Sequence, residues 1–180
     1  GFRFAPYLLS NVWVTSTLDL ALDLLPRAPV VQLLVDVFYT EETAIETLDR
    51  LRRISFDYPQ NLIHLITPTQ DKKALRFMKA VAALRIISRQ SPFRTLRKKL
   101  LMPQPVRFSR KSHFSRDEWL ILMALNQGRT LKSIASDYDK NYHRVIYRLG
   151  RIVERLKLKH RSELIHLLQN LSASSIQPIR

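Results

Sequence analysis

A stretch near the carboxyl end of the sequence carries arginine at short intervals, at Arg144, Arg148, Arg151 and Arg155. Apolar residues lie between them at steps of three and four positions, at Val145, Leu149, Ile152 and Leu156. That spacing predicts a helix with one apolar face. A guanidinium group can donate two hydrogen bonds to guanine in the major groove of a duplex, or it can hold a phosphate. The stretch is therefore a candidate for binding a polyanion.

The side of this predicted helix that faces away from the apolar stripe is polar. It carries His143, Tyr147, Gly150, Arg151 and Glu154, with Arg144 and Arg148 on one flank. A helix that buries one stripe and exposes a basic, hydrogen-bonding face suits the major groove of DNA. The alternative is a helix of an ordinary bundle with a solvated basic side, and periodicity alone fits both interpretations equally well.

A shorter helix is predicted just before this one, over residues 131–138, with Thr130 as its N-cap. A turn that includes Lys140 separates the two helices, and Asn141 caps the longer one. Two helices in this order are typical of a helix-turn-helix, in which the first crosses the DNA backbone and the second enters the groove. Lys132 and the free amide groups after Thr130 are then candidates for phosphate contact.

The charge of the whole chain also indicates a polyanionic partner. Its 180 residues contain 30 Lys and Arg against 15 Asp and Glu, which gives a formal net charge of +15. Between Asp71 and Asp117 there is no acidic residue, while 14 are Lys or Arg. Nucleic acid is the first partner that such a balance suggests, and an acidic membrane surface is the second.

Several classes of site are excluded or disfavoured by composition. The sequence has no cysteine, so it has no disulfide, no thiolate metal site and no thiol nucleophile. Its three glycines form neither a phosphate-binding glycine loop nor a nucleophile elbow, and its five histidines lack zinc-site spacing. We expect no enzyme activity, no cofactor and no metal. No apolar run approaches the ~20 residues of a membrane span, so we expect a cytoplasmic, nucleoid-associated protein without a membrane partner.

The sequence divides at a proline-containing, polar stretch over residues 103–113, which has the composition of a linker. Before it, residues 1–102 alternate between β-rich and helical patterns. Predicted strands cover 12–15, 30–37, 62–66 and 84–87, and predicted helices cover 18–25, 42–54, 72–81 and 92–101, the last with Ser91 as its N-cap. We expect the strand at 30–37 to be buried on both faces. This alternation predicts a doubly wound α/β fold with a parallel sheet, which is the flavodoxin-like class.

The second part, residues 114–172, is predicted to be all helical, and residues 173–180 a flexible tail. Ser115 and Glu118 form a capping-box pattern before an apolar stretch that ends at Gly128. With the two helices described above and a last one over residues 161–171, this part has four predicted helices.

These helices lie on a sequence that resembles the LuxR/FixJ-type DNA-binding domain over about 50 residues without a gap. The matching positions are Glu118, Gly128, Lys132, Ile134, Ala135, Val145, Ile152, Leu156 and Leu164. The resemblance favours the helix-turn-helix over the plain bundle. It implies four helices, the third of which reads the major groove and the fourth of which often supports dimer contacts. Arg144 stands where that family usually has threonine and Arg148 where it has histidine, so no base preference is transferred.

The first part resembles a receiver domain at three strand ends. Asp36 stands where a receiver has its phosphoacceptor aspartate, Thr67 where it has a hydroxyl, and Arg89 where it has a lysine. No acidic pair that could hold Mg²⁺ precedes Asp19, and we expect the printed sequence to begin inside the first helix of such a domain. The combination resembles the Rcs-type auxiliary regulators, whose receiver-like domains are degenerate.

The sequence therefore predicts a transcription regulator that binds specific double-stranded DNA as a dimer, with itself or with a related response regulator. The predicted DNA contacts are Thr130, Lys132, Lys140, His143, Arg144, Tyr147, Arg148, Arg151 and Arg155. One alternative is a two-component response regulator that depends on phosphorylation of Asp36. Another is an adaptor for RNA polymerase or a different protein, without duplex binding.

Overall fold

The computed structural model describes residues 14–15, 17–23, 32–40, 42–101, 108–109 and 111–173. Within these ranges the chain forms three strands and eight helices. In chain order they are α1 (Leu18–Leu22), β1 (Gln32–Asp36), α2 (Ala44–Asp57), β2 (Leu62–Thr67), α3 (Lys72–Val81), β3 (Arg85–Ser88), α4 (Phe93–Leu101), α5 (Arg116–Asn126), α6 (Leu131–Asp137), α7 (Tyr142–Arg155) and α8 (Arg161–Ser172). The first part thus alternates strand and helix, and the second part is helical.

The strands form a parallel sheet in the order β1-β2-β3. Strand β2 lies in the middle, and its Ile63 and Leu65 are buried. Strand β1 was predicted to be buried on both faces, and this prediction is wrong, because Leu34 is 41% exposed while Leu33 and Val35 are buried. Exposed and buried residues alternate along β1, so within the described residues one face of this strand is covered and the other is not.

The ends of several elements differ from the sequence prediction. Val14 and Thr15 lie outside any strand, so the strand predicted at 12–15 is not present there, while residues 12 and 13 lie outside the described residues. Helix α4 begins at Phe93 rather than at Pro92. The carbonyl of Pro92 accepts hydrogen bonds from the amides of Thr95 and Leu96, so the proline forms the entry to the helix rather than its first residue.

The helix start signals of the sequence are present in the structure. Ser115 accepts a hydrogen bond from the amide of Glu118, and the Glu118 carboxylate accepts one from the amide of Ser115, so the predicted capping box is confirmed. Gly128, which follows this helix, has a φ of 78°, a conformation that glycine adopts without a steric penalty. It therefore turns the chain away from α5 at the position where the sequence predicted a stop.

The two parts of the chain share one buried cluster. The rings of Phe77, Phe114 and Trp119 lie together, with centroids 5.5 Å apart for the first pair and 6.2 Å for the second. The amide of Phe114 donates to the carbonyl of Ala80 at 2.7 Å, and the indole of Trp119 donates to the carboxylate of Asp49 at 2.6 Å. The second part is thus packed directly on α2 and α3. The boundary between two domains stays a prediction.

His64 is buried in the middle strand without a hydrogen bond. It is 1% exposed, and neither ring nitrogen has a partner among the described residues. Buried polar groups usually have hydrogen-bond partners, and the ring of His64 is an exception to that rule. Burial, together with the charge of Arg85, lowers the pKa of His64 to about 4 from an ordinary value of 6.5.

We expect the protein to lose about 2 kcal/mol of unfolding free energy through His64 when the pH falls from 7 to 5. In this range the unfolded chain binds a proton at His64, whose unfolded pKa is near 6.5, while the folded chain does not. The contribution of His64 to the free energy of unfolding is therefore fully present above pH 7, and it is lost as the pH falls towards 4. Urea unfolding of the wild type and of His64→Leu at both pH values measures the difference, and an equal pH dependence in the two proteins would contradict it.

Candidate nucleic-acid interface

Helix α7 separates an apolar face from a polar one. Val145, Leu149 and Ile152 are buried against the neighbouring helices, as the periodicity predicted, and Leu156 is buried at its end. The opposite face is exposed and carries His143, Arg144, Tyr147, Gly150, Arg151 and Glu154. Tyr147 is 66% exposed, so its ring is not part of the core. The polar face is therefore accessible along the length of the helix.

Helix α6 is fixed against α7 by a short turn and a small apolar cluster. Ile134 and Ala135 of α6 pack with Val145 of α7. Thr130 caps α6 by accepting from the amide of Ser133, and Asn141 caps α7 by accepting from the amide of His143. The amide of Lys140 donates to the carbonyl of Ala135 at 2.8 Å, which closes the turn. The relative placement of the two helices is thus set by backbone bonds and packing.

Three of the predicted contact residues are engaged by acids of α5. Lys140 Nζ and Arg148 Nη2 lie 3.2 and 2.9 Å from the same oxygen of Asp117. Arg155 Nη1 lies 2.9 Å from Glu118, and its guanidinium stands over the ring of Phe114. Sequence reasoning missed these two acids as partners, although adjacent acids on a helix beside a basic helix are a usable signal.

Glu118 is buried as well as paired. Burial alone would raise the pKa of this carboxylate, but hydrogen bonds from Arg155 and Ser115 hold the pKa below its ordinary value. The carboxylate therefore stays charged, and it joins the start of α5 to the end of α7. In this position Arg155 is a link between helices.

The other predicted contact residues are exposed. Thr130 and Lys132 lie at the start of α6, and His143, Arg144, Tyr147 and Arg151 lie on α7. Within the described ranges, Lys132, Arg144 and Arg151 form no ion pair. Exposed cations and hydrogen-bond donors on one helix face can bind phosphate and the edges of bases.

The receiver-like positions meet at the carboxyl ends of the parallel strands. Nη2 of Arg89 donates to Oδ1 and Oδ2 of Asp36, at 2.7 and 2.6 Å, and Nε of Arg89 donates to Oδ2 at 3.0 Å. The guanidinium of Arg89 lies 4.5 Å from the ring centre of Tyr39. Thr67 is buried, and its hydroxyl accepts from the amide of Thr69. Asp36 and Arg89 are thus brought together as one ion pair.

No cluster of three or more His, Asp or Glu residues that could bind a metal ion occurs in the part of the chain that the structure describes. No helix there has both the length and the apolar character needed to cross a bilayer.

Comparison with known proteins gives a relative in sequence and several similar structures. No family model matches the sequence. The chain is similar to RcsB of Salmonella enterica serovar Typhimurium bound to the promoter rprA (TM-score 0.43, 15% identity, 86% of this chain and 80% of that chain). It is also similar to full-length FixJ of B. japonicum (TM-score 0.38, 17% identity, 85% of this chain and 80% of that chain).

The sequence relative is the Fimbriae Y protein of Salmonella typhimurium strain LT2. The two sequences are 30% identical over 176 residues, which is 97% of this chain and 72% of the relative. The aligned region includes both the sheet and the helical part. By this identity over nearly its whole length, the chain belongs to the family of the Fimbriae Y protein.

Proposed function

We propose that the chain is a transcription regulator that binds specific double-stranded DNA through α7. The observation that carries the proposal is the exposed face of α7, where Arg144, Tyr147 and Arg151 point away from the core while the opposite side is buried. A basic helix face next to a second helix across a short turn is the arrangement of a helix-turn-helix. In this proposal α5–α8 form a LuxR-type DNA-binding domain.

The proposed contacts divide by chemistry. His143, Arg144, Tyr147 and Arg151 face base edges in the major groove, and Lys132 at the start of α6 meets the backbone phosphates, with Thr130 beside it. Lys140, Arg148 and Arg155 are held by acids of α5, so we do not place them among the DNA contacts. The net charge of +15 attracts the duplex from a distance.

The first part of the chain, in this proposal, is a receiver-like domain that works without phosphorylation. Both oxygens of Asp36 already accept hydrogen bonds from Arg89, which leaves the carboxylate engaged by a permanent cation. We assign to this part the binding of a second copy of the chain or of a related response regulator. The name of the relative makes promoters of fimbrial genes the first targets to test.

We expect the purified chain to retain a limited set of promoter fragments from total genomic DNA. Binding of the most enriched duplex should weaken with salt, with a log–log slope that steepens by about 0.9 for each lysine or arginine that contacts a phosphate. Fluorescence polarisation over a salt series measures the slope. Scrambled duplexes of equal length are the control.

Failure to retain any duplex at about 50 mM salt, where such contacts are strong, would contradict DNA binding. It would favour the adaptor alternative, in which the basic surface binds RNA polymerase or another protein.

A further inference from the structure

Asp117 is an acidic residue that holds two cations of the candidate interface. Its Oδ2 atom lies 3.2 Å from Nζ of Lys140, in the turn before α7, and 2.9 Å from Nη2 of Arg148, on α7 itself. All three side chains are about three-quarters to two-thirds buried. A single carboxylate of α5 therefore engages two positive side chains that lie beside the exposed face of α7.

The side chain of Arg148 is mostly buried and points towards Asp117 on α5. Its Nε atom is buried and has no hydrogen-bond partner within the described ranges. An unpaired buried donor destabilises the folded state, so the ion pair with Asp117 is the interaction that keeps the guanidinium there. Arg144, one turn earlier on the same helix, lines the same shallow pocket as Asp117 but is exposed and forms no ion pair with described residues.

We propose that Asp117 is a specificity-determining positioning residue, which holds Lys140 and Arg148 away from the DNA phosphates. The proposal rests on the proposed function, DNA binding by α7. Each cation that contacts a phosphate raises the affinity for every DNA sequence by a similar amount. Specificity is the difference in affinity between the target and other sequences, so such a contact does not add to it. By retaining two cations, Asp117 lowers sequence-independent binding and leaves recognition to Arg144, Tyr147 and Arg151.

The test compares Asp117→Asn with the matched control Asp137→Asn. Both variants lose one negative charge in the helical part, but Asp137 pairs with Arg129 and accepts from Ser133, and neither of these partners is on α7. Affinity is measured for the enriched promoter duplex and for a scrambled duplex, over a salt series. We expect Asp117→Asn to bind the scrambled duplex about tenfold more tightly than the control does, with a slope steeper by about 1 to 2.

The promoter affinity should rise less, so that the ratio of promoter to scrambled affinity falls in Asp117→Asn and stays near the wild-type ratio in Asp137→Asn. Equal effects of the two variants would overturn the proposal, because they would show a response to net charge alone. If the wild type binds neither duplex, the proposed function itself fails, and the two failures are therefore distinguishable.

A second variant serves if Asp117→Asn does not fold. A retained arginine contributes nothing to phosphate binding, so Arg148→Ala should keep the scrambled-duplex affinity and the salt slope of the wild type. Lys132→Ala, at the exposed start of α6 where we propose a phosphate contact, should weaken that affinity and reduce the slope by about 1. An equal loss in Arg148→Ala and Lys132→Ala would overturn the proposal.

Discussion

Replacing Arg144 and Arg151 together by alanine should weaken binding to the promoter duplex by about 30-fold or more. Both side chains are exposed on α7 and lie seven residues apart, two turns along the same face and about 10 Å from each other. An arginine that contacts a base contributes about 1 to 3 kcal/mol, and effects at this separation are close to additive. The sum of about 2 to 6 kcal/mol corresponds to a rise in the dissociation constant of about 30-fold or more, and fluorescence polarisation measures that constant.

The control for this variant removes two arginines that lie elsewhere. Arg53 is exposed on α2, where it pairs with Asp49, and Arg161 is exposed at the start of α8. The double variant Arg53→Ala/Arg161→Ala has the same net charge as the first one, so it reports the general attraction of the basic chain for DNA. If both double variants lose the same affinity for the promoter, α7 is not the recognition helix.

The features that sequence predicted correctly are those set by short-range chemistry. The buried stripe of α7 follows from steps of three and four residues, of which Val145 and Leu149 are one pair. The start of α5 follows from Ser115 and Glu118, because a capping box needs only residues three positions apart. The middle strand β2 follows from a short apolar run between turn signals, interrupted by His64. In each case all the interacting groups lie within one element.

The features that sequence did not predict depend on groups far apart in the chain. Nothing local to Arg148 shows that Asp117 will lie 2.9 Å away from it, because that distance is set by how α5 packs on α7. The apolar pattern around Leu34 likewise predicts a strand, but it does not predict that one face of that strand is uncovered within the described residues. Periodicity assigns a residue to a face of its own helix or strand, and the packing of elements then decides what that face meets.

The contact between α2 and the helical part depends on Arg52, whose partners also lie far from it in the chain. It is 6% exposed, although arginine in a helix is usually a surface residue. Its guanidinium donates to the carbonyl of Val81 at the end of α3 and, at 2.8 Å, to the carbonyl of Phe114 before α5. The same group lies over the ring of Trp119, 5.5 Å from its centre. Arg52 thus connects three segments that come together only in the folded chain.

Burial lowers the pKa of Arg52, while the charges of Asp49 and Glu118 oppose that shift. The group is therefore held as a buried cation whose hydrogen bonds satisfy two carbonyls. Removing it leaves both carbonyls without this donor, and an unsatisfied buried acceptor destabilises the fold by about 1 to 3 kcal/mol. The contact with the indole ring is lost as well, which adds about 0.5 to 2 kcal/mol.

We therefore expect Arg52→Ala to lower the free energy of unfolding by about 3 to 5 kcal/mol, as measured by denaturant unfolding followed by circular dichroism. Arg53→Ala is the matched control, because Arg53 is the next residue of α2 but points to solvent, and an exposed ion pair contributes under about 1 kcal/mol. Arg52→Lys should fall between the two, since one ammonium group cannot reproduce the planar fork that reaches both carbonyls. If Arg52→Ala and Arg53→Ala unfold at the same denaturant concentration, Arg52 does not contribute to holding the two parts of the chain together.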